Sequence, residues 1–144
     1  MMKLYGYYRS SAAYRVRIAL QLKSLQWQSV PVNLLTGEQK DQAYGQLNPQ
    51  GLVPVLALED ELLSQSLAII EWLDETYPQI PLLPKDALAK AQVRALAYQV
   101  AMEIHPLNNL RVVKFLKKDL ALDESQKMQW YRHWVAQGFV ALEQ

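Results

Sequence analysis

Arg9-Ser10-Ser11-Ala12-Ala13-Tyr14-Arg15-Val16-Arg17 decides how this chain is read. It follows an aromatic-rich run in which Leu4 to Tyr8 predicts a short β-strand. From Ser11 onward Tyr14, Ile18, Leu22 and Leu25 recur at helical spacing, so a strand hands over to a helix at the two serines. Ser10 or Ser11 is the expected N-cap. The N-terminus of a helix carries unpaired N–H groups and a partial positive charge, so it stabilises an anion, and a serine there adds a hydroxyl donor. The same pair also serves as a plain cap. The chain contains no cysteine, so any thiolate handled here must arrive on a cofactor.

Downstream, Val30, Val32 and Leu34 alternate with polar or turn residues and predict a second strand, which completes a βαβ unit with parallel strands. Thr36 to Gln39 is a turn into a weakly helical stretch ending near Leu47, and Asn48-Pro49-Gln50-Gly51 breaks it. Val53 to Leu58 and Leu62 to Leu63 predict a hairpin turning at Glu59-Asp60. Ser66 is expected to cap a helix with Ile69, Ile70, Leu73 and Tyr77 on one face, stopped by Pro78. The order is β-α-β-α-β-β-α. Pro78, Pro81 and Pro84 then mark a stiff linker, after which strand signals vanish. Leu88, Ala91, Ala95, Tyr98 and Met102 predict a helix that Pro106 should bend or end. A further helix starts near Asp123 or Ser125 with Met128, Tyr131, Val135, Phe139 and Leu142 on one face. The expected domains are 1–80, mixed α/β, and 86–144, all helical. Trp130 and Trp134 lie on another stripe of the last helix, and two helices cannot easily bury so wide an apolar surface, so further chain beyond Gln144 is expected.

Composition narrows the function classes. Of 144 residues 51% are hydrophobic and 20% charged, which is globular, and the net charge of +1 gives no reason to expect nucleic acid or an acidic membrane surface. Two histidines and no cysteine make a metal site improbable and exclude disulfides. With no apolar run of signal-peptide or membrane-spanning length, a cytoplasmic protein is expected.

Two more features join the serines. Val53-Pro54 opens a strand, where proline fits either a cis peptide or an ordinary trans-proline at a sheet edge. If cis, it turns the backbone of Val53 toward a ligand. Gln65-Ser66 places an amide and a hydroxyl at a helix start, which suits a carboxylate or again a cap. Together the three offer a thiolate site, a peptide-backbone site and a carboxylate site, the set a small thiol peptide requires.

Four runs carry a resemblance: Ser10 to Leu20, Leu47 to Leu56, Gln65 to Leu73, and Ile104 to Arg111. They resemble the zeta class of glutathione S-transferases, most closely its branch that isomerises maleylacetoacetate to fumarylacetoacetate in aromatic amino-acid catabolism. The resemblance implies a thioredoxin-like domain followed by an all-helical domain, here incomplete, and a homodimer with glutathione as cofactor. It implies that Ser10 and Ser11 are catalytic and face the glutathione sulfur, with Ala12 and Arg15 in the same motif. Val53 would pair with the cysteinyl backbone beside a cis Pro54. Gln65 and Ser66 would hold the γ-glutamyl carboxylate with Gln39 nearby, and His105, Asn109 and Arg111 would approach from the helical domain. Arg9 and Arg111 suit the carboxylates of the substrate. Many members of the class carry a cysteine where this chain has Ala12, so activation of the thiolate falls to the hydroxyls. General glutathione transfer, or a relic that only binds glutathione, are the other activities the same residues allow. A thioredoxin-type redox role is excluded, because there is no cysteine.

Overall fold

Alternation along two short strands sets up the first unit. The structure is a computed structural model that describes all residues, Met1 to Gln144. Strand β1 (Lys3–Gly6) sends Leu4 to one face and Tyr5 to the other, and β3 (Val55–Ala57) does the same with Leu56 and Val55. Leu4 and Leu56 meet Val16, Ala19 and Leu20 of α1 (Ser11–Leu22) and Ile69 and Leu73 of α3 (Ser66–Thr76). On the opposite face Val55 packs with Val32 and with Tyr44 of α2 (Gln42–Leu47), a helix preceded by a 3-10 turn at Glu38–Lys40. Strands β2 (Gln28–Pro31) and β4 (Leu62–Ser64) complete a sheet of order β2-β1-β3-β4. β1 and β2 are parallel, and the other two pairings are antiparallel. This β-α-β-α-β-β-α unit is the thioredoxin-like arrangement.

Burial of α1 differs from the stripe its spacing suggested. Tyr14, Ile18 and Leu22 are exposed, whereas Ala13, Val16, Ala19 and Leu20 face the sheet. Small side chains explain the difference: a Cβ placed on Gly6 would lie 3.1 Å from the Cβ of Ala13, so only small residues let the helix lie this close to β1. The strands are also shorter than expected. Tyr7 and Tyr8 belong to the turn after β1, and Val53 and Leu34 lie outside strands.

The chain divides into two compact units, Met1–Leu83 and Pro84–Gln144. The second is helical: α4 (Ala87–Tyr98), a π-helical turn (Gln99–Ile104), α5 (His105–Asn108), α6 (Leu110–Lys118) and α7 (Glu124–Leu142). Pro106 does not end the first of these helices. It sits in the first turn of α5, where its missing N–H costs nothing, and the helix is disrupted by the π turn before it. Asn109 accepts from the N–H of Val112 at 3.2 Å and so caps α6, an element the periodicity had left unassigned. Asp123 starts α7 with a capping box shared with Gln126.

No residue of α7 is fully buried: Trp130 and Trp134 are half-buried, as are Met128, Val135 and Leu142 of the expected face, whereas Tyr131 and Phe139 are exposed. Trp130 donates to the carbonyl of Leu107 at 2.9 Å, and its ring meets Trp134 edge-on. At Gly138 the helix touches Ile104 so closely that a Cβ would stand 2.2 Å from Cγ1.

Candidate functional site

Strand register gathers the candidate residues of the first unit at one end of its sheet. β1 ends at Gly6, opposite Pro31 at the end of its parallel neighbour β2. Tyr5 pairs antiparallel with Val55, at the start of β3, and Val55 pairs with Ser64, at the end of β4. The turn to Ser10, the Val53-Pro54 peptide and the junction Gln65-Ser66 therefore all open from this end. The β2 connection that carries Gln39 leaves from it too, and its main-chain carbonyl lies against Gly51. Ligands of open α/β sheets bind beyond the carboxyl ends of parallel strands, and β1 and β2 present theirs here.

Ser10, and not Ser11, is the N-cap of α1. Its backbone is extended, and its Oγ accepts from the N–H of Ala13 at 3.2 Å. A hydroxyl that accepts from the protein keeps its own proton to give. The N–H of Tyr14 goes to the Ser10 carbonyl, whereas that of Ala12 has no main-chain acceptor. Ser11 is the first helical residue, and its side is exposed to solvent, as is Arg9 before it. A hydroxyl proton, a free N–H and the positive end of a twelve-residue helix converge on one spot. That spot suits a thiolate.

The Val53–Pro54 peptide is cis. Main-chain hydrogen bonds engage neither the N–H nor the C=O of Val53. The segment before it is tightly held. The hydroxyl of Tyr44 and the amide of Asn48 both donate to the carbonyl of Leu52 at 2.8 Å, while the Asn48 side-chain oxygen accepts from the N–H of Gln50. Burial pushes the Tyr44 phenol far above its ordinary range, which keeps its proton for that bond. Sequence spacing gave no sign of this brace.

Ser66 is not the cap of α3 but its first residue; Gln65 takes the cap position with φ at 68°. A side chain other than glycine in this left-handed region costs on the order of 1–3 kcal/mol, and such outliers concentrate at ligand sites. Gln65 donates to the side-chain oxygen of Gln50 at 2.9 Å. Ser66 is buried, and the half-buried Arg15 of α1 reaches it with Nη1 to Oγ at 3.2 Å. Burial lowers the Arg15 guanidinium from its ordinary value.

Two buried polar atoms in this unit have no partner, the Gln39 carboxamide oxygen and the Tyr7 hydroxyl. Such orphans are uncommon in folded proteins and point to an absent partner. Tyr7 lies in the turn that leads to Ser10, whose N–H donates to the Tyr7 carbonyl at 3.0 Å. Burial, and after it the neighbouring Tyr8 hydroxyl, raise the Tyr7 phenol against the opposing pull of Arg9, so it stays neutral.

In the second unit His105 opens α5, Asn109 has its carboxamide oxygen committed to the α6 cap, and Arg111 is exposed in the first turn of α6. No group of three or more His, Cys, Asp or Glu side chains could hold a metal ion. No helix is long and apolar enough to cross a membrane.

Residues 4–81 match the family described as Glutathione S-transferase, N-terminal domain. Among relatives, the maleylacetoacetate isomerase of Pseudomonas aeruginosa is 53% identical over 146 residues, a match covering 99% of this chain and 68% of the relative. A solved bacterial maleylpyruvate isomerase, described as a zeta-class glutathione S-transferase, superposes with a TM-score of 0.94 at 45% identity, over 96% of this chain and 66% of that one. The maleylacetoacetate isomerase of Methylobacterium extorquens AM1, solved with bound malonate and GSH, gives 0.95 at 42% identity, over 98% and 66%. The chain thus spans about two thirds of the length of these relatives.

Proposed function

The chain belongs to the glutathione S-transferase family, in its zeta class, and from that membership we propose that it is a glutathione-dependent cis–trans isomerase of maleylacetoacetate or a related cis-enedione acid. One observation carries the reading. A helix N-terminus with a donor serine, a cis Val53–Pro54 peptide with a free main chain and a second helix N-terminus with a serine open from the same end of one sheet.

The residues present fit glutathione. Ser10 and the N–H of Ala12 would face its sulfur, and Val53 would offer its N–H and C=O to the cysteinyl backbone. Gln65 and Ser66 would take the γ-glutamyl carboxylate, and the orphaned oxygen of Gln39 would accept from an N–H of the peptide. Bound there, glutathione would supply a sulfur nucleophile for reversible addition to a conjugated double bond, the chemistry by which the cis and trans forms interconvert. The chain contributes the rest. Ser10, Ala12 and the α1 dipole hold negative charge on sulfur without a local base. Ser11 stands beside them as a second hydroxyl. Arg9, exposed next to Ser10, would bind a substrate carboxylate. Arg111, in the second unit, is the other cation assigned to the substrate, and His105 and Asn109 remain assigned to glutathione. A cytoplasmic homodimer goes with this reading, because reduced glutathione is abundant where disulfides are rare.

The test is turnover of maleylacetone with glutathione present and omitted. Isomerisation that requires glutathione is expected. Binding of glutathione without isomerisation contradicts the reading, and conjugation of a chlorinated electrophile in its place marks a general transferase.

A further inference from the structure

Arg15 joins the two helix starts of the site. It lies on α1, five residues after the Ser10 cap, and its guanidinium reaches Ser66 at the start of α3. Guanidinium groups carry only donors, so in this contact the Ser66 oxygen must accept. No protein acceptor takes the Ser66 proton in return. Ser66 is 7% exposed, too enclosed for bulk water to reorient its hydroxyl freely. Gln65, the other side chain at this junction, already gives one amide proton to Gln50. Arg15 itself is half-buried, and no carboxylate of the protein offsets the loss of hydration. A cation held this way favours an incoming anion.

We propose that Arg15 is a positioning residue that fixes Ser66 as a hydrogen-bond donor and thereby selects ligands bearing the α-carboxylate of a γ-glutamyl group. The inference rests on the reading of the site given above and adds to it the residue that sets its carboxylate selectivity. Because Arg15 and Ser10 share one rigid helix, the carboxylate end and the sulfur end of the ligand are registered against the same element.

Calorimetric titration with two peptides tests this: glutathione, and its analogue with γ-aminobutyryl in place of γ-glutamyl, which lacks only that carboxylate. The unaltered chain should prefer glutathione. In Arg15→Met the affinity for glutathione should fall about tenfold, the scale of one charge-assisted hydrogen bond, while that for the analogue stays the same. Arg15→Lys should recover part of the preference. Ser66→Ala should mimic Arg15→Met, and the double variant should be no worse than either alone, because the two act as one unit. Equal losses for both peptides in Arg15→Met, or losses that add in the double variant, overturn the proposal. Equal affinity of the unaltered chain for the two peptides overturns it as well. Failure of that chain to bind glutathione at all overturns the proposed function together with it.

Discussion

Ser10 performs two jobs with one oxygen: it accepts from Ala13 to cap α1, and it retains a proton for a ligand. Ser10→Ala should lose about 1 kcal/mol of folding stability through the cap. Loss of a hydrogen bond to a charged sulfur should further reduce turnover by about ten- to a hundredfold. Urea unfolding and the isomerase assay separate the two effects, and Ser10→Thr should restore the first. Ala12 provides an independent probe of the same spot. The chain has no cysteine, so Ala12→Cys introduces a single thiol in the first turn of α1. Its pKa, followed by alkylation rate against pH, should lie about one unit or more below the value near 8.5 of an ordinary cysteine. At this scale the sequence was informative where function and local structure coincide. The serines announced themselves because hydroxyls precede a helical period. The role of Arg15, the cap taken by Gln65 and the orphaned oxygens of Gln39 and Tyr7 depend on contacts across the fold, which no spacing encodes.

Among elements, the end of α1 is tied to α3 and to the segment after it by a buried ion pair. Lys23 donates to Asp74 at 2.7 Å and to the carbonyls of Tyr77 and Ile80, and Asp74 accepts from the N–H groups of Leu82 and Leu83. Burial opposes the charge on Asp74, but the Lys23 bond and the two N–H groups outweigh it and hold the carboxyl below its ordinary value. A carboxyl depressed in the folded state adds stability above its unfolded pKa, and that stability is lost as pH falls through the folded value. Acid titration of stability should therefore show a loss that sets in as pH falls into the ordinary carboxylate range and is complete only below it, which Asp74→Asn removes. Lys23→Met strands the buried Asp74 and should cost about 3–5 kcal/mol in urea unfolding. In the second unit Gly138→Ala sets two effects against each other. Helix propensity favours alanine by about 1 kcal/mol, and the clash with Ile104 costs about 1–3 kcal/mol. The clash should win, and Ile104→Val should recover part of the loss. Element order was legible because strand and helix periods differ and prolines and glycines punctuate them. Which stripe faces inward was not, since Ala13 and Gly138 are chosen for closeness and not for hydrophobicity.

Across the whole molecule, burial is uneven. The first unit has two apolar clusters, whereas in the second only Ile104 and Leu116 are buried among apolar residues, and α4 and α7 contribute none. Hydrogen exchange should place the slowest amides in β1, β3, α1 and α3, with α4 and α7 opening at lower free energy; protection equal in both units would contradict this. The function assigned to the chain rests on the first unit and on the state of a sulfur held at its α1 helix. The most direct test is an ultraviolet titration of glutathione bound to the protein, which reports thiolate formation. The thiol should ionise below the pH of the free peptide, and Ser10→Ala should move it back up. A bound thiol that titrates with the free one, indifferent to Ser10, would contradict the account.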